Sequence, residues 1–168
     1  MSRQTSVAFT PSAALPGDVM GSDYASMNRS ADVVMQGGLL VVIGAYDDSC
    51  KLPTTSGDIT SVLKPLGVTR SNVARDPNFP SGGTAGYTYQ IGDTVEIVKR
   101  GQVWVTVEEA VSPADDVYVR HTANGDNTQR GAFRTSSDSS NAALLAGARF
   151  LTTAAAGSVA LLDLNLPQ

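Results

Sequence analysis

The stretch TVEIVKRGQVWVTVEE, residues 94–109, alternates apolar and polar side chains in two runs: Val95 and Ile97 in the first, Val103, Val105 and Val107 in the second. A period of two marks a strand with one buried face and excludes a helix, whose apolar positions recur every three or four residues. Between the runs, Lys99-Arg100-Gly101 has the length and terminal glycine of a three-residue loop, so an antiparallel hairpin is expected over residues 94–98 and 102–108. Its valines face a core. Trp104, the chain's only tryptophan, faces away among Gln102, Thr106 and Glu108. A large aromatic on the non-core side of a strand marks a second covered surface, either another layer of the same domain or another subunit.

Strand signals recur on both sides of this unit. GGLLVVIGAY, residues 37–46, is a glycine-bounded apolar run of strand length, as for a strand buried on both faces. Residues 47–84 are irregular, punctuated by Pro53, Pro65, Pro77 and Pro80, with short strand-like pieces at 59–63 and 67–73. A loop region this long inside one domain is commonly functional or interface-forming. After the turn SPADD, VYVRH alternates again, with valines on one face and Tyr118 and Arg120 on the other. A polar loop, TANGDNTQRG, leads to a short strand in AFRTSS. SNAALLAGARF predicts a short helical segment near residues 140–147, capped by Ser140 or Asn141 and ended by Gly147. ARFLTT and SVALLDLNL, joined by AAAG, read as a closing hairpin. Turns every 8–12 residues predict an all-β, antiparallel sandwich or barrel.

Residues 1–35 carry isolated apolar side chains (Val7, Phe9, Leu15, Met20, Tyr24 and Met27) among Ser, Ala, Pro and Gly without period. Such a stretch builds no core of its own. It is expected to be an extended arm, leaving residues 36–168 as the β-domain. With 168 residues no second domain is required, and charged residues at 17% are too few for the exposed faces of a helical protein. A net charge of −4 gives no general attraction to phosphate backbones or anionic membranes, so neither nucleic acid nor membrane is an expected partner. No run approaches the roughly 20 apolar residues of a membrane span. The first residues lack the apolar run of a signal peptide, so synthesis and action in the cytoplasm are expected.

Chemistry is hard to assemble from these residues. His121 is the only histidine and has no metal-spaced or triad partner, so a plain surface or strand-end role is expected. Cys50 has no base nearby in sequence. Asp47-Asp48, Glu108-Glu109 and Asp115-Asp116 are adjacent pairs, which on extended backbone point to opposite faces and read as solvated charges. NGDN at 124–127 lacks the spacing and closing glutamate of a calcium loop, and SGGTAG at 81–86 lacks the lysine of a phosphate loop. No catalytic residue, metal or cofactor is expected.

Taken in order, YxxGDTVEIVKRGQVWVTVEEAVSPADDVYVR, GAFR and ALLAGARFLTTAAAGSVALLDLN, with GVTRSN at 67–72, resemble the structural cement proteins that decorate heads of tailed bacteriophages. The chain departs from their usual pattern in SPADD, where a Pro-Gly-Asp turn is common, and in the long stretch 47–84. The resemblance implies a jelly-roll-like fold and a non-enzymatic protein made in the host cytoplasm. It implies binding to the outside of the expanded head, bridging adjacent major capsid protein subunits and stabilising the shell. Self-association as a homodimer or homotrimer fits a component that touches symmetry-related subunits. Val7, Phe9, Leu15, Tyr24, Trp104, Tyr118 and Phe133 are the expected interface side chains. Surface aromatics and long loops suggest a different function as well, a carbohydrate-binding β-sandwich of a phage tail or fibre.

Overall fold

A computed structural model describes residues 14–71 and 88–166. These residues are nearly all β: twelve strands and one helix of a single turn, α1 (Ser56–Thr60). The strands are β1 (Val19–Ala31), β2 (Met35–Gln36), β3 (Leu40–Ile43), β4 (Ser49–Lys51), β5 (Pro65–Thr69), β6 (Thr88–Tyr89), β7 (Thr94–Thr106), β8 (Tyr118–Arg120), β9 (Phe133–Arg134), β10 (Ala142–Leu144), β11 (Ala148–Phe150) and β12 (Val159–Asn165). No helix among them is long and apolar enough to cross a membrane.

The main sheet closes on itself. β1 pairs with β7, β7 with β5, β5 with β3, β3 with β4 and β4 with β1, which makes a ring of five strands. The closing pair is short and parallel, Ser30 beside Ser49 and Ala31 beside Cys50, where a wholly antiparallel arrangement was expected. Beyond the ring, β12 and then β11 extend the sheet from the C-terminal half of β7. A three-stranded sheet, β10-β8-β9, packs over this extension, and β2 pairs with β6.

Alternation sorts the side chains into two cores. Ala31, Val41, Cys50, Leu66, Val95 and Ile97 form one cluster, and since all five ring strands contribute to it, it fills the ring. Leu40, Val68, Val98, Val103, Val105 and Leu162 meet Val119 and Phe133 in the other, between ring wall and small sheet. The run LLVVI therefore does lie in a strand buried on both faces: Leu40 joins one cluster and Val41 the other. Each such side chain contributes about 1.5–3 kcal/mol on burial.

The expected hairpin is instead one strand. β7 runs unbroken from Thr94 to Thr106, and Gly101, at φ +117°, serves a bulge and not a reversal. Both uses need a residue that tolerates positive φ, so local sequence does not separate them. The partner decides: β1 lies along both halves of β7, with register shifts between Met20 and Ser26. An added Cβ at Gly101 would sit 2.6 Å from that of Tyr24, which is how closely the two chains cross. The alternation was read correctly, since Val103, Val105 and Val107 are fully buried while Trp104 is half-buried.

Three further expectations change. Residues 19–31, assigned to an arm, form β1 of the ring; single apolar residues suffice there because only Met27 and Ala31 turn toward the ring's filling. The helical segment near 140–147 is strand β10 preceded by a left-handed turn at Asp138, Ser139 and Ser140. Pairing of Ala142 with Arg120 and of Leu144 with Tyr118 overrides the local capping signals. Residues 59–63, read as strand, begin in α1, where the Asp58 carboxylate accepts the Thr54 and Thr55 N–H groups at 3.0 and 3.1 Å. The closing hairpin stands as read, with Ala148 opposite Leu164 and Phe150 opposite Leu162.

Candidate functional site

The densest polar cluster is buried between the end of β7 and the small sheet. Arg120, fully buried, donates from Nε to both Glu108 oxygens at 2.7 and 2.8 Å, from Nη2 to Asp138 at 2.7 Å and from Nη1 to the Thr122 carbonyl at 2.9 Å. Arg134 lies beside it and bonds Glu108 at 3.3 Å, Glu109 at 3.3 Å and Asp138 at 3.0 Å. Glu109 also accepts from Thr135 N–H at 2.7 Å. Burial alone would raise the Glu109 carboxyl, but the Thr135 N–H and hydroxyl, Arg134 and Ser136 outweigh it and leave it lowered. The Arg120 hydrogen bond holds Asp138 below the ordinary carboxylate range. Glu108 and Glu109 were expected to diverge as solvated charges. They converge on Arg134 because β7 has ended at Thr106 and the chain bends there.

Every charge in this cluster is committed to a neighbour, so it staples two sheets together and presents no free acid or base. His121, expected as a plain surface or strand-end residue, does sit at the end of β8, but it is buried beside this cluster and not at the surface. Burial lowers its pKa, Arg120 lowers it further and Asp58 partly opposes them. Cys50 lies inside the ring, where burial first and Asp32 second push its thiol up to about 12. Among the described residues no group of three or more His, Cys, Asp or Glu side chains could hold a metal ion.

What the molecule does present is apolar surface on its turns. Leu63 is 77% exposed, Tyr46 72%, Ile91 70% and Val62 66%, with Ile43, Val34, Met20 and Leu144 also exposed. Four of these share one end: the Ile43 N–H donates to the Lys64 carbonyl at 3.0 Å, joining the end of β3 to the loop that carries Val62 and Leu63, and Tyr46 lies in the adjacent β3–β4 turn. That loop is fixed. Lys64 Nζ bonds Asp58 at 3.1 Å. Burial alone would raise the Asp58 carboxyl, but the Thr54 and Thr55 donors and Lys64 hold it far below the usual carboxylate range. Val34 and Ile91 lie on neighbouring turns tied to the same end, since Asp32 accepts the Ala45 N–H at 2.7 Å and Gly92 N–H donates to Ala31 at 2.8 Å.

The side chains expected at an interface fare differently. Val7 and Phe9 lie outside the described residues. Leu15 is half-buried in a turn closed by its N–H to Asp18 at 2.9 Å. Tyr24 is half-buried, with the Arg70 guanidinium 5.5 Å from its ring centroid. Trp104 has Leu161 directly across from it on β12, and its backbone bonds Gly17 and Asp18, so part of its covering comes from its own chain. Tyr118 is half-buried and pairs in register with exposed Leu144. Phe133 is fully buried in the core and offers nothing to a second molecule: β9 has the small sheet's core on the face where an exposed aromatic was expected. The exposed end was missed residue by residue, although Tyr46, Val62 and Leu63 fall in or beside the long irregular stretch singled out for an interface.

A closed all-β body whose buried arginine–carboxylate cluster is paired internally, with apolar side chains displayed on its turns, has the make-up of a structural protein. The chain matches the family model described as structural cement protein (E217 gp24/Pam3 gp6) over residues 3–165, and it belongs to that family. It is thus a bacteriophage virion structural protein that associates with capsid proteins. Among solved structures it resembles a chain of the capsid of Myoviridae phage XM1, at 20% identity and TM-score 0.65, over 98% of both chains, which shows the shared fold. A weaker likeness is to the head fibre gp8.5 N base of bacteriophage phi29, at 12% identity and TM-score 0.42, over 86% of this chain and 98% of that one. No curated protein matches the sequence.

Proposed function

We propose that this protein binds the outer surface of the expanded phage head, bridges neighbouring major capsid protein subunits and stabilises the shell without catalysis. The observation that carries this reading is the exposed end formed by Ile43, Tyr46, Val62 and Leu63, held on loops tied down by hydrogen bonds. Apolar side chains on a rigid support are suited to binding, because little conformational entropy is lost on docking. A ligand that binds the expanded shell and not its precursor stabilises the former by mass action. Many equivalent junctions multiply a modest gain per copy. Self-association, as a dimer or trimer, would let one particle engage symmetry-related subunits simultaneously.

The differential is the test. Purified protein is titrated onto undecorated expanded heads and onto precursor heads, and bound copies are counted after sedimentation. Saturable binding to expanded heads, with weak binding to precursors, is expected. Equal binding to both, or none to expanded heads, would contradict the proposal.

A further inference from the structure

Asn124-Gly125 is the only asparagine–glycine step in the chain, and there is no aspartate–glycine step. Glycine has no side chain to shield its backbone nitrogen, so an asparagine in front of it is the one most readily attacked from its own backbone. The fold leaves this step open. Asn124 and Asn127 close a two-residue turn through paired backbone N–H bonds of 3.0 and 3.1 Å, and Asn124, Gly125 and Asp126 are all exposed. Gly125 has φ +56°, and a Cβ built on it would meet nothing within 4 Å beyond its chain neighbours. Its N–H donates to no acceptor among the described residues. The other described asparagines precede Arg29, Thr128, Ala142 and Leu166, whose side chains hinder the same attack.

One side-chain bond ties this turn to the buried ion cluster. Asn124 Nδ2 donates to Asp138 Oδ1 at 3.0 Å, the oxygen that neither arginine takes, since Arg120 and Arg134 both bond Oδ2, at 2.7 and 3.0 Å. We propose that Asn124 is a site of spontaneous deamidation, and that its product releases the loop 122–128 from Asp138. The Gly125 nitrogen, after giving its proton to hydroxide, attacks Asn124 Cγ; the bond from Cγ to the side-chain nitrogen breaks, ammonia leaves and a five-membered succinimide remains. Water then opens either carbonyl of that ring to give isoaspartate or aspartate. One water is consumed and one ammonia released, and no other reactant is needed. Either product carries a carboxylate where the Nδ2 donor stood, so two like charges face each other across what was a hydrogen bond. Isoaspartate also lengthens the backbone within a turn whose geometry is set by its two-residue length. In a virion no fresh synthesis replaces altered copies, so the change accumulates. This inference goes beyond the decoration role and does not depend on it.

Ageing the purified full chain tests the proposal without any capsid present. Protein is held at mildly alkaline and at mildly acidic pH, digested, and its peptides are sequenced by mass spectrometry. The exchange of NH2 for OH is expected at residue 124, as isoaspartate and aspartate, at a rate that rises with hydroxide, and the aged protein is expected to melt about 2–4 °C lower. Asn124→Asp supplies one product directly and should show the same fall. Asn127→Asp puts an equal charge on the same turn at a side chain that does not bond Asp138, and should shift Tm by less than about 1 °C. Asn124→Gln keeps an amide but has no five-membered route, and should stay unmodified. Native protein that keeps Asn124 intact, above all where the urea-unfolded chain loses it, would show that the bond to Asp138 holds the amide shut and would overturn the proposal. Deamidation with no fall in Tm, or equal falls for Asn124→Asp and Asn127→Asp, would overturn the release of the loop.

Discussion

Replacing Arg120 by methionine should cost far more than removing a surface ion pair. Arg120 is fully buried and is the main partner of Glu108, which it grips with two bonds of 2.7 and 2.8 Å; Arg134 reaches the same carboxylate only at 3.3 Å. Methionine fills the volume but leaves Glu108, 7% exposed, with one long contact. Breaking a buried pair from one side typically costs about 3–5 kcal/mol, because the abandoned charge keeps its desolvation penalty. For a domain of this size each kcal/mol shifts Tm by about 2–4 °C, so a fall of roughly 6–20 °C is expected. Urea denaturation should give the same free energy through a lowered midpoint at unchanged m. Combining Arg120→Met with Glu108→Leu removes both charges, and the double variant should recover part of the loss. A single-variant cost below about 1 kcal/mol, the range of exposed pairs, would show that the staple is solvated and refute the reasoning.

Three further outcomes follow from the same packing. The folded state depresses the pKa of His121, whose Nε2 is buried with no hydrogen-bond partner among the described residues, so its stabilising contribution is complete above the unfolded value of 6.5 and is lost as pH falls below it. Stability should fall by up to about 1.4 kcal/mol per pH unit there, and His121→Gln should flatten that segment; an unchanged slope would place the titration elsewhere. Cys50, buried with its thiol at about 12, should resist an aromatic disulfide reagent at pH 8 until the protein unfolds, and prompt labelling of native protein would contradict its place in the ring. Gly101→Ala meets both a positive φ of +117° and a Cβ of Tyr24 at 2.6 Å, so a loss of about 2 kcal/mol or more is expected by thermal denaturation, and a neutral result would deny the close crossing of β1 and β7.

Local patterns revealed the faces of strands better than their connections. The phase of Val103, Val105 and Val107 placed them in the core, and LLVVI announced a strand buried on both sides. Neither pattern could show that Gly101 bends one strand where a hairpin would reverse it, because the choice rests with β1, seventy residues away in sequence. β1 itself was illegible for the same reason: its outer edge and one face lie open, so it carries no strict alternation to read. Residues 142–144 illustrate tertiary override, since short apolar residues after possible caps suit a helix until pairing with β8 forces a strand. The candidate surface was legible only as a region. Tyr46, Val62 and Leu63 are unremarkable as residue types, and their exposure emerges only when the turns of β3, β4 and the α1 loop are brought to one end. Glu108 and Glu109 were misread because the extended backbone assumed for them stops at Thr106.

The central claim is that the exposed end seats against the shell, and a paired substitution there tests it most directly. Tyr46→Ser with Leu63→Asp changes two side chains that are 72% and 77% exposed, so the fold should retain its Tm within a few degrees. Affinity for expanded heads, measured by sedimentation binding, should fall at least about tenfold, and the rise in head rupture temperature given by the wild-type protein should vanish. Undiminished binding and full protection of the heads by this variant would contradict the account.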